Sequence, residues 1–135
     1  MLQDRLWQHA PKWVVWHILL VISGGLAIDA AFGWPGQIAA IVWTFFVWAV
    51  LFKFGGTDER RVLVLCTAIA GFGEVILSLV WGLYDYQFSN VPLFVPPGHA
   101  LLMTLGLISS QKFLNHNAGR AFQAIFPWGA FIYAG

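Results

Sequence analysis

The sequence predicts an all-α membrane protein, a bundle of four transmembrane helices that forms a single domain. At 135 residues the chain has the length of one domain. Apolar residues make up 59% of it and charged residues only 10%, whereas a soluble domain carries about 25% charged residues. The apolar residues also come in long blocks separated by short polar breaks, which is the pattern that membrane-spanning helices require.

The positions of the basic residues predict the orientation in the membrane. All seven Lys and Arg residues lie before helix 1, at or near the connection between helices 2 and 3, or at the end of helix 4 and beyond it: Arg5, Lys12, Lys53, Arg60, Arg61, Lys112 and Arg120. Because cytoplasmic loops carry an excess of Lys and Arg, we expect a multi-pass protein of the plasma (inner) membrane. Its N-terminus is then cytoplasmic, and its 1–2 and 3–4 loops are periplasmic or extracellular.

Helix 1 is predicted over residues 13–31, which at 1.5 Å per residue just cross a hydrocarbon core of about 30 Å. Its end, Ile28-Asp29-Ala30, places a bulky residue where a signal peptidase needs a small one. We therefore expect this segment to be kept as a helix. Small residues at 23–27 allow another helix to approach closely.

Helix 2 is predicted over 37–54, after a short turn at Phe32-Gly33-Trp34-Pro35-Gly36 that makes helices 1 and 2 antiparallel neighbours. It is apolar on all sides, as lipid exposure permits. The break over 55–61 is the most charged part of the chain, and Thr57 or Asp58 is expected to cap helix 3.

Helix 3 is predicted over 62–83 and helix 4 over 97–114, where Pro97 can begin a helix without losing a hydrogen bond. Small and polar residues at steps of three or four share one face of helix 3, which we expect to turn towards other helices: Thr67, Gly71, Glu74, Ser78, Trp81 and Asp85. The last apolar stretch, 121–135, contains Pro127 and predicts a short interfacial or partial helix, or a fifth span.

Glu74 is the only carboxylate deep inside an apolar block. We expect it about nine residues, or roughly 14 Å, below the outer end of helix 3. A charge there is costly, so Glu74 must face the bundle interior, find a partner or stay protonated. It is predicted to be a general acid, a proton carrier or a ligand-anchoring carboxyl. The structural alternative is a hydrogen bond to Thr44, Ser23 or a backbone carbonyl.

His99 and Asp85 complete the predicted catalytic set. His99 lies at the outer start of helix 4, where it can serve as a base, as a ligand to a metal or pigment, or as a hydrogen-bonded interfacial residue. We expect it about two and a half turns above Glu74, too far for direct contact. Asp85 or Asp29 is then its nearer carboxylate. His17 is expected near the opposite surface, which disfavours a bis-histidine haem site.

The predicted ligand-binding residues lie at the same end: Ser78, Trp81, Tyr84, Tyr86 and Asn90. The aromatic ones form either an interfacial belt or a wall for an apolar or cationic ligand. Residues 91–97 are too apolar for a solvated loop and are predicted to close the outer mouth. No metal site is predicted, because no Cys/His spacing resembles a zinc site, and the single Cys66 forms no internal disulfide. No basic stripe suggests nucleic-acid binding.

The stretch from Glu74 to His99 also carries a family resemblance. Glu74 is followed by Gly82, Tyr84 and Tyr86 in a Gly-x-Tyr-x-Tyr pattern, and then by Pro92 and Pro96 in a Pro-x-x-x-Pro pattern. Over residues 74–99 the chain resembles membrane carotenoid-biosynthesis proteins of the carotenoid hydratase type. It departs from them in length and in having His99 where they have an aromatic residue. The resemblance implies a pocket for an apolar polyene or isoprenoid.

These observations predict an outward-facing site between helices 3 and 4 for an apolar lipid or isoprenoid. There Glu74, as a buried acid, could protonate an alkene or orient a water. A ligand pocket predicts Glu74 in a cavity lined by Trp81 and Ser78. One rival is a non-catalytic subunit of a larger membrane complex, and another is a dimeric transporter in which Glu74 carries protons. The expected partners are membrane lipids and either other membrane subunits or a second copy. The sequence identifies no cofactor.

Overall fold

The computed structural model describes residues 12–83, 86, 88 and 91–114. For residues 111–114 it describes only the helical backbone. Helix α1 is Lys12–Phe32, α2 is Trp34–Phe54, α3 is Thr57–Glu74 and α4 is Val95–Leu114. A π-helical segment, Val75–Val80, continues α3. The predicted all-α architecture is confirmed for this part of the chain. The predicted C-terminal helix over 121–135 lies outside the described residues.

Three helical segments are long and apolar enough to cross a membrane: Lys12–Phe32, Trp34–Phe54 and Thr57–Val80. Most of their large apolar side chains point away from the bundle, including Trp16, Phe46 and Phe72, each more than half exposed. In water such a surface would cause aggregation, whereas lipid covers it without cost. A membrane helix bundle, as predicted, is the fold that accounts for this surface.

The α1–α2 hairpin is held by unusually close backbone contacts. Only Gly33 separates the two helices, and its φ of 57° is one that glycine adopts without strain. A Cβ atom added to Gly36 would lie 2.1 Å from the carbonyl oxygen of Ile28 in α1. Further along, Gly24 faces the Trp43 ring, so α2 packs closely against the small residues of α1, as predicted.

The start of α3 is capped differently from the prediction. Gly56 occupies the N-cap position and Thr57 is already the first helical residue, so the predicted caps, Thr57 and Asp58, are wrong. Instead, the Glu59 carboxylate reaches back and accepts the backbone N–H of Gly56 at 2.5 Å. A glutamate at the third helical position performs this function in capping boxes, where its charge also favours the positive helix end.

The bundle consists of two hairpins, because α1 packs mainly on α2 and α3 mainly on α4. The hairpins meet where α4 contacts α1 and α2, and where Trp48 Nε1 donates to Thr67 Oγ1 at 3.0 Å between α2 and α3. The two hairpins share a cluster of buried apolar residues: Val14, Ile18, Val21, Val47, Leu51, Leu63, Ala100, Leu101 and Ile108. The seam between the hairpins is less extensive than the contact within each.

The π-helical segment changes which residues share a face with Glu74. The N–H of Trp81 donates to the carbonyl of Ile76 at 2.9 Å, five residues back, which marks a widened turn. Residues in such a turn advance by a smaller angle than in an α-helix, so the three-and-four spacing of the sequence no longer keeps them in line. Trp81, predicted on the face of Glu74, is instead 67% exposed.

Candidate functional site: a buried carboxyl beside an apolar cleft

Glu74 lies at the end of α3, immediately before the π-helical segment, and is 8% exposed. The hydroxyl of Tyr86 donates to its Oε2 atom at 2.6 Å. Nε2 of His99 lies 3.8 Å from its Oε1 atom. Three of the predicted site residues, from α3, the following connection and α4, are therefore grouped around one carboxyl.

The prediction that depth separates Glu74 from His99 is wrong for two reasons. The membrane-crossing segment ends at Val80, so only six residues lie between Glu74 and that end, and Glu74 is shallower than expected. The start of α4, in turn, is deeper. A Cβ added to Gly71 would lie 3.5 Å from Cγ of Pro96, so the first turn of α4 packs beside the turn of α3 that precedes Glu74.

The proline-rich start of α4 explains how a helix end can be buried this way. A helix normally leaves its first four N–H groups without partners, but Pro96 and Pro97 have no N–H to satisfy. The N–H of Val95 donates to the Pro92 carbonyl at 3.0 Å. Pro97 and Phe94 are accordingly buried. Phe94 and Pro97 of the apolar 91–97 segment, predicted to close the outer mouth, are thus packed against the helices, whereas Leu93 is exposed.

The hydrogen bonds of His99 fix the roles of its two ring nitrogens. Nδ1 lies 3.0 Å from the carbonyl oxygen of Val95, which can only accept, so Nδ1 carries the hydrogen. In the neutral ring Nε2 is then an acceptor, and it faces Oε1 of Glu74. The distance of 3.8 Å between these two atoms exceeds that of a direct hydrogen bond. The side chain of His99 is 49% exposed.

A cleft of about 140 Å³ lies beside His99, at the seam between the two hairpins. Its walls are apolar except for Thr44 and His99, and come from α1, α2 and the start of α4: Val21, Ile22, Leu26, Thr44, Phe94, Val95, Gly98, His99 and Leu102. The cleft is therefore placed differently from the predicted pocket between helices 3 and 4. His99 both lines this cleft and faces Glu74, which joins an apolar space to a polar cluster.

The structure brings Glu74, Tyr86 and His99 together. Glu74, Trp81 and Ser78 are not among the residues that line the cleft, so this cleft is not the predicted cavity around Glu74. Tyr84, Asp85 and Asn90 lie outside the described residues.

The predicted structural partners of these groups also differ. Ser23, one candidate partner of Glu74, donates to the Leu19 carbonyl at 2.7 Å instead. Asp29 was an expected carboxylate for His99, but Glu74 is the one that faces it. Within the described part of the chain, Oδ1 of Asp29 is buried without a hydrogen-bond partner.

The connection between α3 and α4 is fastened to the bundle at two described points. Tyr86 is hydrogen-bonded to Glu74. Phe88 stacks on Trp34 at the start of α2, with ring centroids 4.9 Å apart and planes inclined by 27°. The connection thus crosses from α3 to the α1–α2 turn, and it places the Tyr86 hydroxyl at the carboxyl.

Comparisons with protein-family models, with curated proteins and with solved structures find no match to this chain. The resemblance to carotenoid hydratase-type proteins over residues 74–99 thus stays a prediction. Among the described residues, no group of three His, Cys, Asp or Glu side chains is placed to hold a metal ion. The groups that this candidate site offers to a ligand are therefore Glu74, Tyr86, His99 and the apolar cleft.

Proposed function

We propose that this protein binds a single-chain amphiphile, such as an isoprenoid or another membrane lipid, at the seam between its two hairpins. Part of the apolar chain occupies the cleft, and the polar head lies at Glu74, Tyr86 and His99. One observation carries the proposal: His99 lines the cleft and also faces Oε1 of Glu74 across 3.8 Å. A ligand with an apolar chain and a polar head can therefore satisfy both environments at once.

The size of the cleft limits what enters it. Sites for whole small molecules usually measure about 300–1,000 Å³, and an apolar cavity of about 150 Å³ is known to hold one benzene ring. At about 140 Å³, the cleft accommodates a chain segment of a few carbons, such as one isoprene unit. The rest of a longer chain would lie in the surrounding lipid, so the ligand is held near its head.

The proposed orientation places this site in the outer leaflet of the plasma membrane. Lys53, Arg60 and Arg61 lie at the α2–α3 turn, which the positive-inside rule assigns to the cytoplasm. Glu74 and His99 lie at the opposite end of α3 and α4. In this arrangement α4 is the fourth span, the N-terminus is cytoplasmic, and the connection that carries Tyr86 faces the periplasm or the exterior.

Glu74 is also the group that would perform any chemistry on the ligand. Tyr86 donates to Oε2, so a proton that the carboxyl holds when no cationic head is bound is directed to Oε1, on the side of His99. A carboxyl in this position could act as a general acid on a ligand beside His99. No specific contact among the described residues favours the accessory-subunit or transporter alternatives. Both are outcomes of the experiment below.

The experiment is native mass spectrometry of protein gently extracted from its own membrane, with two matched glycine variants. A Cβ added to Gly98 or to Gly106, both in α4, meets no heavy atom within 4 Å. Gly98 lines the cleft, whereas Gly106 is not among its lining residues. We expect Gly98→Leu to fill the cleft and lose a bound amphiphile, which the wild type and Gly106→Leu retain.

Other outcomes would contradict this proposal in distinct ways. Equal retention of lipid by all three proteins would show that the cleft is not the binding site. Extraction only as a complex with other polypeptides, unchanged in Gly98→Leu, would make this chain an accessory subunit. A lipid-free symmetric dimer would favour the transporter arrangement instead.

A further inference from the structure

We propose that the head of the bound amphiphile is a primary ammonium group, held between Nε2 of His99 and Oε1 of Glu74. This inference rests on the proposed function, because it assigns the polar part of a ligand whose chain lies in the cleft. It follows from the hydrogen-bonding roles, the distance and the charge at that position.

The two facing atoms are both acceptors. Nδ1 of His99 donates to the Val95 carbonyl, which leaves Nε2 of the neutral ring with only its lone pair. Oε2 of Glu74 receives the Tyr86 hydroxyl, and a carboxylate Oε1 can only accept. Two acceptors cannot bond to each other, so a group that donates two hydrogens satisfies both.

The distance between these atoms suits an inserted donor. A charge-assisted N–H···O bond measures about 2.7–2.9 Å, whereas Nε2 and Oε1 are 3.8 Å apart. Direct sharing of one proton would draw them closer. A nitrogen at about 2.9 Å from each atom, the usual hydrogen-bond length, completes a triangle over that gap. A primary ammonium group fits there with two hydrogens on the two acceptors.

The charge around Glu74 also calls for a cation. Among the described residues no Lys or Arg contacts this carboxyl, and those whose side chains are described lie towards the other end of the bundle: Lys12, Lys53, Arg60 and Arg61. An ionised carboxylate that is 8% exposed is costly in a membrane unless a cation lies beside it, and the neutral form of His99 supplies none. A ligand cation would remove most of that cost and would share the site with neutral His99.

Other head groups match the site less well. A hydroxyl group has one hydrogen and leaves one of the two acceptors unpaired. A carboxylate has none and repels Glu74. A quaternary ammonium carries the charge but no N–H, so it cannot bond to either atom. The expected order of affinity is therefore primary ammonium first, then quaternary ammonium and hydroxyl, and carboxylate last.

The test uses four probes with the same twelve-carbon chain, each added to delipidated, detergent-solubilised protein and measured by native mass spectrometry at pH 7. The probes are dodecylamine, dodecyltrimethylammonium, dodecanol and dodecanoate. Because hydrogen bonds to charged groups are among the stronger ones, we expect the wild type to bind dodecylamine about tenfold more tightly than dodecanol. It should also prefer dodecylamine to the quaternary probe.

Two variants separate this inference from the proposed function. In Glu74→Gln we expect the twelve-carbon chain still to bind, so dodecanol should be retained. The preference for dodecylamine over dodecanol should fall below about twofold, because the glutamine amide donates to Nε2 and supplies no charge. In Gly98→Leu all four probes should be lost.

Equal binding of the four probes by wild type, still lost in Gly98→Leu, would overturn the ammonium head while supporting the cleft. A dodecylamine preference that survives Glu74→Gln, or one matched by the quaternary probe, would also overturn it. Binding that Gly98→Leu leaves unchanged would overturn the proposed function itself.

Discussion

Glu59 and Glu74 are the same residue type at opposite ends of one helix, and both are nearly fully buried, at 5% and 8% exposure. Glu59 lies in the first turn of α3, where it accepts the Gly56 N–H and its charge meets the positive end of the helix. Glu74 lies at the other end of α3, directly before the π-helical segment that continues the helix.

The difference supports the proposal that Glu59 is a structural carboxyl and that Glu74 belongs to the ligand site. Glu59 stabilises the fold where it is, since it satisfies a backbone donor at a helix start. Glu74 gains no such benefit from its helix, and the fold must supply Tyr86 to satisfy it. It also directly precedes a π-helical segment, a rare feature that is frequent at functional sites. A buried carboxyl in this position is consistent with the proposed ligand.

The largest expected effect concerns the hydrogen bond that supports Glu74. Tyr86→Phe removes the donor to Oε2 and leaves a buried carboxylate oxygen unsatisfied, so we expect the free energy of unfolding to fall by about 2 kcal/mol. The same substitution in a Glu74→Leu background should cost less than about 0.5 kcal/mol, since the acceptor is gone. The measurement is unfolding in mixed micelles with increasing sodium dodecyl sulfate. Equal costs in both backgrounds would show that Tyr86 stabilises the protein by contacts other than Glu74.

The next prediction is that neutralising Glu59 and neutralising Glu74 change the free energy of unfolding differently. Glu59→Gln removes a charge from a helix start, and we expect the free energy of unfolding to fall by about 1 kcal/mol. Glu74→Gln should leave it unchanged or raise it by about 1 kcal/mol, because replacing a buried charged group with a neutral one that stays hydrogen-bonded is often stabilising. The glutamine amide can accept from Tyr86 and donate to Nε2 of His99. The same unfolding assay on both variants measures this difference, and two losses of similar size would remove the distinction between the two carboxyls.

The helices were predictable because their signals are local. Block length, the break around Gly33 and Pro35 and the glycines at 55–56 marked the ends of α1 and α2 within a few residues, although residues 34–36, predicted as part of a turn, already belong to α2. The start of α3 was placed five residues too late, at 62 instead of Thr57, because a charged run reads as a loop. Charges at a helix start are in fact compatible with the helix, as Glu59 shows.

The site was predictable in its members and not in its geometry. Glu74, His99 and Tyr86 stood out because ionisable and hydroxyl groups are rare in apolar sequence. Their proximity depends on the depth at which α4 begins. Pro96 and Pro97 allow the start of this helix to be buried, but their presence in the sequence does not predict that depth. The cleft residues of α1, such as Val21 and Leu26, carried no signal, because helices that are apolar on all sides do not reveal which face is internal.

The smallest expected change in the free energy of unfolding concerns Arg60, at the α2–α3 turn. The Arg60 guanidinium donates through Nε to the Phe52 carbonyl at 2.8 Å and through Nη2 to the Lys53 carbonyl at 3.0 Å. It thereby satisfies two carbonyls that the end of α2 leaves without partners. A lysine keeps the charge but lacks the planar fork, so Arg60→Lys should lower the free energy of unfolding by about 0.5–1 kcal/mol.

Arg61→Lys is the matched control for that variant. Arg61 lies on the same turn, is largely exposed and pairs with Asp58 at 3.5 Å, an exposed ion pair of the kind that contributes little. We expect its substitution to change the free energy of unfolding by less than about 0.3 kcal/mol. Neither arginine variant should alter the retention of dodecylamine, since both lie about 20 Å or more from Glu74 along α3. A loss of ligand in Arg60→Lys would mean that the two ends of α3 are coupled, and that charge at the α2–α3 turn is not structural alone.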